Sequence, residues 1–212
     1  MVQTPTMPGT PGRAGALSLP NILTYGRIVA VPAIVACYMY DTHAGRWIAL
    51  AIFIIASVTD FLDGYLARLW HQQSAIGRML DPIADKLLVA TTLILLASDN
   101  TVAGWSLIAA IIILLREVAV SGLREFLAAV QVSVPVTRLA KWKTTMQMVA
   151  LGFLIAGPAG DKLFSGVDVM GGEFGVITYV GLLLLWISAL VTLYTGYDYF
   201  RAGIRHIISE DM

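Results

Sequence analysis

Charge is scarce in this chain. Only 13% of its 212 residues are Asp, Glu, Lys or Arg, and 58% are hydrophobic, whereas a soluble domain is about a quarter charged and under half apolar. That composition makes lipid the main solvent. No polar insert long enough to fold alone interrupts the apolar runs, so a single helical bundle is expected rather than two domains. Net charge is absent too, with 14 basic and 14 acidic residues, which leaves no global field for nucleic acid and makes any electrostatic function local. Cysteine is reduced to Cys37, which excludes an internal disulfide framework and a cysteine-rich zinc site. Its expected role is packing. His43, His71 and His206 show no ligand spacing and are expected to be solvated.

Apolar runs of spanning length are what the chain does have. They fall at about Ile22–Tyr40, Trp47–Leu66, Ala84–Ala97, Trp105–Val130, Thr144–Ala156 and Val176–Phe200, giving an all-α, polytopic membrane protein of about six transmembrane helices. The third and fifth runs are short and need their polar ends to complete a crossing. Residues 1–18, rich in Pro, Gly, Thr and Ala, read as a disordered tail; residues 19–205 form the membrane domain and 206–212 a C-terminal tail. Arg27 and the later spans argue against a cleaved signal peptide. One side of the array carries Arg68, Arg78, Lys86, Arg124, Arg138, Lys141, Lys143, Arg201 and Arg205, and the other only Arg46 and Lys162. The richer side is expected to be cytoplasmic, with Trp47, Trp70 and Trp105 as interfacial anchors.

Four aspartates gather where the second run closes and the third opens. Asp60 and Asp63 are three residues apart and Asp81 and Asp85 four apart, so on helices each pair shares a face. Carboxylates at membrane depth require pairing, metal or a wet cavity. An oxygen-only donor set without His or Cys favours Mg²⁺, Mn²⁺ or Ca²⁺ over zinc or copper. Gly64 and Ala67 continue the Asp60 stripe without bulk, where a ligand could approach the backbone. Plainer readings exist for single residues: Asp81 before Pro82 as a helix cap, Asp60 or Asp63 paired with Arg68 or Arg78, and Gly64 as a packing residue. Caps and ion pairs do not by themselves call for two same-face pairs on facing helix ends.

The spacing Asp60-x2-Asp63-Gly64-x2-Ala67-Arg68-x8-Gly77-x3-Asp81-x3-Asp85 resembles the signature of the CDP-alcohol phosphatidyltransferase family, with every signature position filled. Likeness continues in Leu19-Pro20-Asn21-Ile22-Leu23-Thr24-x2-Arg27, in Arg116-Glu117-x6-Arg124-Glu125 and in Lys141-x-Lys143-Thr144-Thr145-x-Gln147-Met148. These later segments resemble the members that use glycerol 3-phosphate as acceptor. The resemblance covers roughly Leu19 to Ala156.

It implies transfer of a phosphatidyl group from CDP-diacylglycerol to glycerol 3-phosphate, with release of CMP, in anionic phospholipid synthesis. It further implies two Mg²⁺ or Mn²⁺ ions held by Asp60, Asp63, Asp81 and Asp85, with Asp85 as the base that takes the hydroxyl proton. Asp63, Gly64, Ala67, Arg68 and Gly77, with Asn21 and Thr24 nearby, are expected around the CDP-diacylglycerol headgroup, although Asn21 after Pro20 also reads as a helix cap. Arg116, Arg124, Lys141 and Lys143 are expected to dock the acceptor phosphate, against the alternatives that Arg116 pairs with an acid and the lysines only set topology. A homodimer follows from the same likeness, and the excess of Lys and Arg on the side that bears the acids puts the site on the cytoplasmic face of a cell membrane. Other acceptors in the family, inositol phosphate or phosphatidylglycerol, stay open, as does a cation- or proton-coupled transporter.

Overall fold

The computed structural model describes residues 19–40, 42–69, 75–130, 138–164 and 174–210. These form six helices, α1 Leu19–Met39, α2 His43–Leu69, α3 Ala75–Ser98, α4 Ser106–Ala129, α5 Arg138–Asp161 and α6 Val176–Glu210, with a short 3₁₀ turn at Lys162–Phe164 and no strand among the described residues. The side chains of Asp63, Gly64, Ala67, Arg68 and Lys141 lie outside the described residues, as do the proposed tail 1–18 and Trp70. α6 continues through residues 206–210, which the sequence assigned to the tail.

Among the described residues, four helices contain stretches long and apolar enough to cross a membrane: Asn21–Met39, His43–Asp60, Ser106–Ala128 and Val176–Arg201. α3 and α5 fall short on composition, as their sequence foreshadows, because each begins with a polar segment. At 24 residues α3 still measures about 36 Å, longer than the ~30 Å hydrocarbon core of a bilayer, while α5, interrupted at Gly157, runs continuously for about 29 Å before its break. Outward-facing apolar residues such as Val29, Ile55, Leu115, Leu183 and Leu190 are each at least three-fifths exposed, the surface expected where the solvent is lipid.

Local chemistry fixes the boundaries. The Thr42 hydroxyl accepts the Gly45 N–H at 3.0 Å, capping α2 four residues ahead of its apolar run. α3 stops at Ser98, followed by Asn100 at φ 61°, a left-handed position that Asn tolerates after a helix. α3 begins at Ala75, so Asp81 and Pro82 lie inside the helix. Asn21 likewise lies inside α1. Neither residue is the cap that its Pro neighbour suggested; each carries its polar group on a helix face instead.

The core is built from Phe53 of α2, Leu88, Leu93 and Leu96 of α3, Ile113 of α4, Leu151, Leu154 and Ile155 of α5, and Leu185 of α6. Cys37 packs against it. α5 and α6 make the most extensive pair, α1 packs on α2 and α3, and α4 on α6. Close approach of α5 and α6 depends on Gly181, where an added Cβ would stand 2.8 Å from Leu154 side-chain atoms. α5 breaks at Gly157, whose φ of 28° and ψ of −121° precede Pro158. A left-handed φ suits glycine, and Pro158 supplies no N–H to the turn.

Candidate active site

One end of the bundle gathers the N-terminal part of α1, the C-terminal part of α2, the start of α3, α4 from its middle onward, the start of α5 and the C-terminal half of α6. Tertiary contacts define this grouping. Arg27 Nη1 of α1 meets Asp60 Oδ1 of α2 at 2.5 Å. The Thr24 hydroxyl of α1 donates to Asp81 Oδ1 of α3 at 2.5 Å. Lys143 of α5 forms an ion pair with Glu117 of α4, and Arg116 Nη2 donates to the Thr195 hydroxyl of α6 at 3.0 Å.

Asp60, Asp81 and Asp85 form the acidic half. Asp60 lies within electrostatic reach of Asp81, and Asp85 within reach of Asp60, so carboxylates from α2 and α3 face a common space. Two of the three have a support from α1, Arg27 for Asp60 and Thr24 for Asp81; both supports are 1% exposed and lie on one face of α1 with Asn21, at spacings of three. Asn21 and Gly77 are buried at this end as well. A buried arginine in an apolar helix needs an acid, and Asp60 supplies it. The expected partners of Asp60, Arg68 and Arg78, have side chains outside the described residues. Among the described residues, no three acidic, His or Cys side chains converge tightly enough to enclose an ion; Asp63 is outside that set.

The basic half lies across from it. Lys143 is 3% exposed, and Asp85 falls within its electrostatic reach and within that of Glu117. Arg116 Nη1 stands 3.5 Å from Glu117 Oε1, so the expected acid neighbour exists, at a distance too long for a strong hydrogen bond. Its Nε has no partner among the described residues. Arg124 is exposed on α4 and acts on Arg116 through space. Room for Arg116 against α6 comes from Gly196, where a Cβ would stand 3.2 Å from Arg116 Cγ. Gln147, one turn after Lys143, is 2% exposed and its Oε1 has no partner among the described residues.

An apolar groove of about 430 Å³ runs between α2 and α5. Leu50, Phe53, Val58, Met148 and Phe153 line it, and Gly152 leaves it open. Its upper residues, Ser57 and Thr145, stand one turn before Asp60 and two residues after Lys143.

Three contributors have no site role in the sequence reading, although Arg27 and Glu117 stand in its motifs. Arg27 was visible as a charge inside an apolar run and in phase with Thr24, a signal that points to this face. Glu117 sits beside Arg116, but adjacent residues do not share a helix face, and its partner Lys143 is 26 positions away. Thr195 carried no signal among the polar residues of a long apolar helix.

These features define an all-α membrane protein with acidic and basic clusters facing one another at one end of its bundle. The chain matches the CDP-alcohol phosphatidyltransferase family over residues 17–194 and belongs to it, and is therefore an enzyme of the transferase class. A protein of Cereibacter sphaeroides named CDP-diacylglycerol--glycerol-3-phosphate 3-phosphatidyltransferase is 42% identical over 218 residues, covering 91% of this chain and 98% of the relative. One of the same name in Rickettsia typhi is 45% identical, covering 87% and 96%. An Arabidopsis thaliana relative, CDP-diacylglycerol--glycerol-3-phosphate 3-phosphatidyltransferase 2, is 38% identical, covering 92% and 83%.

Proposed function

We propose that the chain transfers the phosphatidyl group of CDP-diacylglycerol to sn-glycerol 3-phosphate, giving phosphatidylglycerophosphate and CMP. The observation that carries this reading is the pairing of an acidic cluster with a separate, largely buried cation pair, Lys143 and Arg116, joined through Glu117, with Lys143 and Glu117 within electrostatic reach of Asp85. A phosphorylated acceptor needs such cations, and bidentate recognition by Arg with point charge from Lys suits a phosphate. The names of the relatives give the same acceptor.

In this mechanism the acceptor hydroxyl attacks the phosphorus that bears diacylglycerol, and the bond from that phosphorus to CMP breaks. Asp85 takes the hydroxyl proton. Lys143 and Arg116, with Arg124 and Lys141, hold the acceptor phosphate so that the hydroxyl points toward the acidic half. Asn21, Thr24, Gly64, Ala67, Arg68 and Gly77 border the headgroup of the donor, and the groove between α2 and α5 receives an acyl chain. The family is generally dependent on divalent metal, and the donor set fits a hard cation: Asp60, Asp81 and Asp85 offer only oxygens, and the first two are steadied by Arg27 and Thr24. Asp60, Asp63, Asp81 and Asp85 would hold two Mg²⁺ or Mn²⁺ ions, which would neutralise charge on the attacking and leaving oxygens.

All six helices cross the membrane in this reading, in a homodimer, with the site on the cytoplasmic face of a cell membrane. A transporter is not favoured, since family and relatives are transferases. The test offers purified protein CDP-diacylglycerol, Mg²⁺ and one acceptor at a time, and identifies the lipid product. Phosphatidylglycerophosphate from glycerol 3-phosphate is expected. Product from inositol phosphate or phosphatidylglycerol, with none from glycerol 3-phosphate, overturns the assignment.

A further inference from the structure

The cation pair assigned to the acceptor phosphate is not free-standing. Lys143 and Arg116 come from different helices, and both contact the same carboxylate oxygen, Glu117 Oε1. Arg116 is held on its far side by Thr195 of α6 at 3.0 Å. Glu117 therefore closes a link that runs from α5 through Lys143 to α4, and on through Arg116 to α6.

Donor counting separates a positioning role from a merely neutralising one. A lysine ammonium has three N–H donors and a guanidinium five. Glu117 takes one donor of Lys143 and stands at long range from Arg116 Nη1, while Arg116 Nε has no partner among the described residues. Both cations keep donors for an incoming anion. Two cations against one carboxylate also leave a local surplus of positive charge, the condition for attracting a phosphate. Without the carboxylate, two like charges would share a mostly buried space: Lys143 is 3% exposed and the Arg116 side chain 11%. Repulsion would push them apart, and the phosphate would meet them one at a time.

We propose that Glu117 is a positioning residue of the acceptor site, holding Lys143 and Arg116 in the register that lets one phosphate engage both. The assignment rests on the acceptor reading above. Glu117 touches neither the donor lipid nor the reacting phosphorus in this scheme, so its charge governs acceptor binding rather than donor binding.

The test compares full-length wild type, Glu117→Gln and Glu117→Asp in detergent, with KM and kcat measured separately for glycerol 3-phosphate and CDP-diacylglycerol. Glu117→Gln is expected to raise the glycerol 3-phosphate KM at least tenfold, to leave the CDP-diacylglycerol KM within twofold, and to lower kcat by less than threefold. Glu117→Asp, which keeps the charge on a shorter arm, is expected to give an intermediate KM. A rise of both KM values together, or wild-type KM values in either variant, overturns the proposal. Where Glu117→Gln does not yield monodisperse protein, Glu117→Asp carries the same test alone, and an unchanged acceptor KM overturns it. A wild type that makes no product from glycerol 3-phosphate defeats the acceptor assignment instead, which keeps the two failures apart.

Discussion

The two ends of the bundle use polar residues in opposite ways. At the end away from the acids, Arg46 of α2 forms an ion pair with Asp99 and donates to Thr101 Oγ1 at 3.2 Å and to the Ile155 carbonyl at 3.4 Å. Its guanidinium also lies 5.3 Å from the centre of the Tyr38 ring, within cation–π range. Asp161, closing α5, accepts the N–H groups of Gly175 at 3.0 Å, Ile177 at 2.8 Å and Thr178 at 3.2 Å, and the Thr178 hydroxyl at 2.6 Å. One carboxylate thus covers the free N–H groups at the start of α6 and places negative charge at its positive pole. This end is a lock, in which Arg46, Asp99 and Asp161 direct their hydrogen bonds to the protein, with the Tyr38 hydroxyl the buried polar atom left without a partner there among the described residues. The other end gathers Asp60, Asp81 and Asp85 in a common field and leaves Arg116 Nε and Gln147 Oε1 without partners among the described residues. Capacity left over is what a ligand can use.

If the contrast is right, substitutions at the two ends must fail differently. The largest effect is expected from Asp85→Asn: kcat should fall by about 10²–10⁴-fold, the range for loss of a general base, with thermal stability retained. Turnover near wild type in folded protein would remove Asp85 from that role. Next comes Arg46→Met, which strands Asp99; a loss of about 2–3 kcal/mol of stability is expected. Both substrate KM values should stay put, as followed by thermal unfolding in detergent alongside steady-state kinetics. Asp161→Asn replaces one of two accepting oxygens with a donor facing N–H groups, and about 1–2 kcal/mol should be lost. Gly157→Ala is the mildest, about 1 kcal/mol, since its left-handed φ is costly for alanine and the new Cβ would lie 3.3 Å from Arg46 Nη1. A kinetic defect without loss of stability in either of the last two would blur the separation between the ends.

Helix number and the acidic half were legible in the sequence because both rest on short-range periodicity. Apolar runs mark helices, and spacings of three and four put acids on one face. α2 and α3 start earlier than their apolar runs because Thr42 caps one and polar residues from Ala75 onward continue the other, signals that hydrophobicity does not carry. The basic half was legible by residue type and by resemblance, yet its internal wiring was not. Lys143 joins Glu117 across two helices, and Arg116 reaches Thr195 across 79 positions, distances over which no periodicity operates.

Composition and spacing alone determined that this chain is an all-helical membrane protein, and set Asp60 with Asp63 and Asp81 with Asp85 as same-face pairs. Hydropathy and helical phase are local properties, and a chain states them outright. Which partner steadies which charge was decided only in the folded bundle. Arg27 took Asp60, Thr24 took Asp81, and Glu117 drew Lys143 toward Arg116, because a buried charge takes the partner that packing brings within reach. That choice is made between helices.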